Sequence, residues 1–160
     1  MDFTESVNLI QNKPDIALGL LDLVVGEQIG EGSFRAVYQH ATNPDWVVKI
    51  QKPSDSFNNV TEYEIWCLVK DTDYKHWFAE VHWISDNGKV IIQQKVNKLK
   101  NKSQVPNKIP HFFTDVKSSN FGLIGNQLTC HDYDYSLIRF ADVGLNNRMK
   151  SAKDIKEDLL

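Results

Sequence analysis

Three β-type runs follow one another between Leu21 and Ile50, and the third carries a lysine at its centre. Leu21-Asp22-Leu23-Val24-Val25 leads through Gly26-Glu27-Gln28-Ile29 into Gly30-Glu31-Gly32-Ser33-Phe34. Strand character resumes in Ala36-Val37-Tyr38-Gln39-His40, and the turn Asn43-Pro44-Asp45 precedes Trp46-Val47-Val48-Lys49-Ile50. Short strands joined by Gly-, Asn- and Pro-containing turns pair as hairpins, so the chain commits early to an antiparallel sheet. Lys49 then needs an explanation, because an ammonium in an apolar strand costs desolvation unless it finds partners. It fits either an edge-strand lysine reaching water or a cation held for a phosphate and a carboxylate. Strand alternation puts Val47 and Lys49 on one face.

Downstream, Pro53 to Phe57 reads as a loop. Asn59 or Thr61 then serves as a cap for a helix over about Val60 to Lys70, with Ile65, Trp66, Leu68 and Val69 near helical spacing. Phe78 to Ile84 and Val90 to Val96 read as two more strands, joined by the hairpin signal Ser85-Asp86-Asn87-Gly88. The order is three strands, a helix, two strands. Residues 97–108 hold Lys98, Lys100, Lys102 and Lys108 and read as a linker or short mobile helix. Phe121–Ile124 and Gln127–His131 are short apolar pieces with Asn126 between them as a turn residue. The tail from Tyr135 reads as helical, with a break near Gly144-Leu145-Asn146-Asn147, and residues 1–20 as a loose lead-in with one or two helical turns.

Composition narrows the function classes. A chain of 160 residues with 41% hydrophobic side chains can bury a core, and its net charge of −3 advertises no nucleic-acid partner. No apolar run approaches the ~20 residues needed to span a bilayer. Asp2 and Glu5 stand where a secretory signal would be positive. Only Cys67 and Cys130 are present, which argues for a reduced cytoplasmic protein over a disulfide scaffold.

Several polar groups could carry chemistry. Gly30-Glu31-Gly32 between two strands leaves backbone N–H groups that can cover phosphates, though such a hairpin is also an ordinary turn. Strand follows it, so it is not a helix-entry dinucleotide loop. On the helix, Glu62 and Glu64 point about 200° apart, so only one can face the sheet. Thr114-Asp115-Val116-Lys117-Ser118-Ser119-Asn120 offers a carboxylate, an ammonium and an amide. Asp132-Tyr133-Asp134 offers two more carboxylates. Such oxygens suit Mg²⁺, and no Cys/His set suits a transition metal.

Taken in order, these segments resemble the signature set of the protein kinases. Gly30-Glu31-Gly32-Ser33-Phe34-Arg35-Ala36-Val37 resembles the Gly-rich loop, Val47-Val48-Lys49 the strand with the phosphate-binding lysine, and Glu62 its paired glutamate. Residues 113–120 resemble the catalytic loop, and Leu128 to Asp134 the strand and turn of the metal-binding aspartate. The resemblance covers about Val25 to Asp134. It implies an α+β, protein-kinase-like fold: a five-stranded antiparallel sheet plus one helix as N-lobe over 21–96, then a much reduced, partly helical C-lobe over 97–160.

It also implies roles. Gly30, Gly32 and Val37 would cover ATP, Lys49 would contact its α/β-phosphates and pair with Glu62, and Gln94 to Val96 would border adenine through backbone groups. Asp115 would orient the acceptor hydroxyl, Lys117 would neutralise the transferring phosphoryl group, and Asn120 and Asp132 would hold Mg²⁺. The implied function is an ATP- and Mg²⁺-dependent phosphotransferase acting on Ser, Thr or Tyr of a protein. The alternative is a catalytically inactive, pseudokinase-like module that regulates a partner protein. Four positions depart from the family pattern: Arg35 for the third glycine, Val47 for a small alanine, Thr114 for the catalytic-loop arginine and Asp134 for the metal-turn glycine. No Ala-Pro-Glu follows, and the short tail leaves little room for a peptide-docking lobe. A partner chain, such as a second copy forming a homodimer, would complete it.

Overall fold

The computed structural model describes residues 21–53, 56–139 and 147–159. The expected lead-in over 1–20 and most of the expected break at 144–147 lie outside them. Contacts divide the chain into two compact units, Met1–Val60 with Val81–Gln94, and Thr61–Glu80 with Lys95–Leu160.

The first unit is built on β1 (Val25–Glu31), β2 (Arg35–His40), β3 (Trp46–Gln51), β4 (Val81–Ile84) and β5 (Val90–Gln94). They form one sheet in the order β1-β2-β3-β5-β4, antiparallel throughout. Alternation gives the sheet two faces. Val48, Trp83, Val90 and Ile92 make the buried core of one, with Leu21, Val25, Tyr38, Trp46 and Ile50 packed against it. Val48 and Ile92 are directly paired and fully buried, each stabilising the sheet by about 1.5–3 kcal/mol. The other face carries Val37, Val47, Lys49, Ile91 and Gln93. The β4–β5 hairpin turns as its Asn-Gly predicts: Gly88 takes φ +69°, and Asn87 Oδ1 accepts the Lys89 N–H at 3.0 Å.

Helix α1 (Asn58–Val69) follows β3 in sequence. It starts two residues before the expected Val60, so Asn59 is no cap but part of the first turn. Its buried side chain is spent on the sheet instead. Nδ2 donates to Lys89 O (3.0 Å) and Lys49 O (3.5 Å), and Oδ1 accepts from Arg35 Nη1 at 3.4 Å. Residues 21–24, read as strand, are helical. Burial at Leu21 and Val24 with Leu23 exposed suits a helical turn better than alternation. The expected strand from Phe78 begins only at Val81, because Phe78 bridges to Cys130. The strand expected to reach Val96 ends at Gln94.

The second unit contains β6 (Asn97–Lys98), β7 (Lys108–Pro110), β8 (Phe121–Ile124), β9 (Gln127–Cys130), β10 (Met149–Ser151) and α2 (Lys153–Glu157), besides most of α1. β6, β8 and β9 form one small sheet, and β7 pairs with β10 in another. Between β6 and β7 the polar stretch is built, not a plain linker. Asn101 and Gln104 close a capping box on a 3-10 turn over Lys102–Gln104. The helical tail is corrected too: the described part holds a 3-10 turn at Leu137–Arg139, strand β10 and five helical residues. The core is aromatic. Phe78 lies 5.6 Å from Phe112, 5.2 Å from Phe113 and 5.0 Å from Tyr133, and Phe113 lies 5.3 Å from Phe121. Such pairs add about 0.5–1.5 kcal/mol each beyond the area they bury.

Candidate active site

The β8–β9 hairpin organises the polar residues of the second unit. Its register pairs Phe121 with Cys130, and the His131 N–H continues the ladder to Asn120 O at 2.9 Å. Residues far apart in sequence, Asn120 before β8 and Asp132 after β9, therefore emerge side by side at one end of the hairpin. Asn120 is buried, and its Nδ2 donates to Asp115 Oδ2 (2.8 Å) and Asp115 O (2.9 Å). With Nδ2 so used, Oδ1 is the atom left to accept or to face a cation. Asp115 Oδ2 also receives the Lys117 ammonium at 2.8 Å, both side chains about half exposed. That hydrogen bond raises the Lys117 pKa above the usual lysine value. Partial burial pulls it down, while the charges of Asp115, Asp132 and Asp134 push it further up. Asp115, Lys117, Asn120 and Asp132 thus share one electrostatic neighbourhood.

Glu62 belongs to it as well. Its fully buried carboxylate accepts the Tyr133 N–H at 3.2 Å, and oxygens of Glu62, Asp132 and Asp134 lie within 4.8 Å of one another. The Asp132-Tyr133-Asp134 turn is held on three sides: that N–H, the Tyr133 ring edge-on to Phe78, and Tyr133 OH donating to Ala79 O at 2.9 Å. Thr114 donates its hydroxyl to Tyr135 O. The donor set is all hard oxygen, with no sulfur or imidazole, which fits Mg²⁺.

In the first unit, the register lines up Gly30, Val37, Lys49 and Ile91 as successive cross-strand neighbours over β1, β2, β3 and β5. Lys49 is 3% exposed, which rules out the water-facing edge lysine. Gly32 lies in the β1–β2 turn, closed by the Gly32 N–H to Arg35 O at 2.8 Å. Lys52 braces that turn through an ion pair with Glu31 and a bond to Gly32 O at 2.8 Å. Gln94 pairs with Trp46, so its side chain is on the face away from Lys49. Val96, in the second unit, packs against Gly122.

No family model and no curated protein matches the chain. Among solved structures, the streptomycin-ATP-APH(2")-IIa ternary complex, an aminoglycoside phosphotransferase, is similar with a TM-score of 0.51. The two are 11% identical over 76% of this chain and 70% of that one. The chain has a kinase-like fold.

Two residues of this kinase-like chain stand out: Asp134, which the sequence offered as one of two loop carboxylates, and Gln93, which it did not single out. Asp134 joins Glu62 and Asp132 in one cluster. Its signal in the sequence is the i, i+2 carboxylate pair. Gln93 is fully buried on the Lys49 face, and among the described residues neither its Oε1 nor its Nε2 has a hydrogen-bond partner. Its signal was strand alternation, since Gln93 follows Ile91 by two.

Proposed function

We propose that this chain is an ATP- and Mg²⁺-dependent phosphotransferase that moves the γ-phosphoryl group to a serine, threonine or tyrosine hydroxyl of a protein. The observation that carries this reading is the convergence of Asp115, Lys117, Asn120 and Asp132 at one end of the β8–β9 hairpin. Asp115, fixed by Asn120 and Lys117, is the group that accepts or orients the acceptor proton. Lys117 stays cationic and offsets charge on the transferring group. Asn120 Oδ1 and Asp132 would hold Mg²⁺, which supplies neutralisation of the phosphate charge when bound. Gly30, Gly32, Val37, Lys49, Gln94 and Val96 would contact the nucleotide, with Glu62 paired to Lys49.

The similar solved complex contains streptomycin, a polycation. Here the exposed Lys98, Lys100, Lys102 and Lys108 stand within residues 97–108, a stretch that contains no carboxylate to pair with such a ligand. We read residues 97–160 as a reduced counterpart of the kinase C-lobe, completed by a partner chain such as a second copy, in the cytoplasm.

Incubation with Mg²⁺ and γ-labelled ATP in a cell extract tests the reading. Transfer by the wild type, lost in Asp115→Ala and Asp132→Ala, is the expected result; equal labelling in the variants would overturn it. One observation favours a second reading, a non-catalytic module: Val47, buried beside Lys49, stands where the resemblance implies a small alanine. Mg-ATP binding without transfer to any acceptor would select it.

A further inference from the structure

We propose that Lys98, Lys100 and Lys102 select acceptor segments rich in aspartate and glutamate, by binding carboxylates that flank the hydroxyl to be phosphorylated. The inference rests on the reading of the chain as a phosphotransferase acting on proteins. The charges of the chain are segregated: between Asp86 and Asp115 stand six lysines and no carboxylate, although the net charge is −3. A surface kept soluble by charge alone intersperses the two signs. Elsewhere Lys52, Lys117 and Lys153 each pair with a carboxylate. Lys98, Lys100 and Lys102 are exposed, and among the described residues their ammonium groups enter no ion pair or hydrogen bond.

Strand register carries these lysines toward the site, within the same unit. β6 pairs antiparallel with β8, Asn97 opposite Leu123 and Lys98 opposite Gly122. The chain leaving Lys98 therefore heads toward the end of the β8–β9 hairpin where Asn120 and Asp132 emerge. Lys98 stands about 5 Å from Gly122 across the ladder, and Gly122 lies two strand residues, roughly 7 Å, from Asn120. An extended acceptor held at Asp115 spans roughly 7–13 Å to residues two to four positions away, which brings them to these ammonium groups. The segment is also held in shape. Asn101 Oδ1 accepts the Ser103 N–H at 3.1 Å, and Gln104 Oε1 accepts the N–H groups of Lys100 (2.6 Å) and Asn101 (3.1 Å). These amide side chains are spent on the local backbone, so the ammonium groups are what the segment presents. A nucleic acid matches less well, because a long polyanion would also meet the acidic remainder of the chain, whereas a short acidic segment need not.

Label transfer to matched peptides tests this. Each peptide carries one serine, threonine or tyrosine, with aspartate, asparagine or lysine two to four positions away on both sides. The wild type is expected to use the aspartate peptide with a kcat/KM about tenfold or more above the asparagine peptide, mainly through KM, and to lose much of that preference in about 0.5 M salt. The triple variant Lys98→Gln, Lys100→Gln, Lys102→Gln should lose the preference, keep its rate on the asparagine peptide and melt with the wild type. Lys98→Arg, Lys100→Arg and Lys102→Arg together should retain the preference. Equal use of the aspartate and asparagine peptides by the wild type, or a preference that survives in the triple glutamine variant, overturns the inference and leaves the phosphotransferase reading standing. A random-sequence oligonucleotide that binds the wild type but not that variant does the same, as does transfer in a cell extract with none to the aspartate peptide. No transfer to any peptide or in the extract overturns that reading, and this inference falls with it.

Discussion

Single residues in this chain are held by their hydrogen bonds more than by their type. His40 is buried at the end of β2, where its Nδ1 accepts the N–H groups of Thr42 and Asn43, each at 3.2 Å. Both bonds need an unprotonated Nδ1. Burial, and then the nearby charge of His82, lower the His40 pKa below the ordinary 6.5. Between the lowered value and 6.5 the unfolded chain binds more protons than the folded one, so stability rises with pH through that window. Urea unfolding from pH 8 down to 5 is expected to show stability lost as pH falls, with a flatter profile in His40→Asn. Lys117 has the opposite sign: its raised pKa keeps the ion pair with Asp115 formed below the ordinary lysine value, and it is lost only as alkaline pH passes the folded value. Because the pair is half exposed, it contributes under about 1 kcal/mol to the fold. Lys117→Met is therefore expected to leave the melting temperature within about 2–4 °C while cutting phosphoryl transfer about 100-fold or more, read in parallel by thermal scanning and label transfer.

Elements differ in how openly the sequence declared them. The first hairpin, the lysine strand and the Asn-Gly turn carry local signals, alternation and turn chemistry, that need no tertiary context. β6, β7 and β10 carry none, because strands of two or three residues exist only through a partner, and that partner is distant in sequence. β6 depends on a glycine. A Cβ on Gly122 would meet Val96 Cγ2 at 2.5 Å and the backbone oxygen of Asn97 at 2.6 Å. The side chain can move but the β6 backbone, paired to Gly122 through Lys98, has little room. Gly122→Ala is expected to destabilise by about 1–3 kcal/mol, seen as a lower denaturant midpoint at unchanged slope. Asp115 and Asn120 sit at the foot of the same hairpin, so transfer should fall with it.

At the scale of the whole molecule, a ligand that binds only the folded chain must stabilise it. Mg-ATP at 100 times its dissociation constant should contribute about 2.7 kcal/mol, raising the melting temperature by about 5 °C or more. No change at any concentration would count against nucleotide binding in either functional reading. The sequence by itself determined the antiparallel sheet, the place of Lys49 in its third strand and the order of the polar segments, because period-two alternation and glycine turns act over a few residues. Only the tertiary structure decided that Asn59 serves the sheet, that Glu62 and Asp134 join Asp132, and that Gln93 is buried with an amide unpaired among the described residues. Those facts depend on ladder register and on burial by residues tens of positions away, which no local pattern encodes.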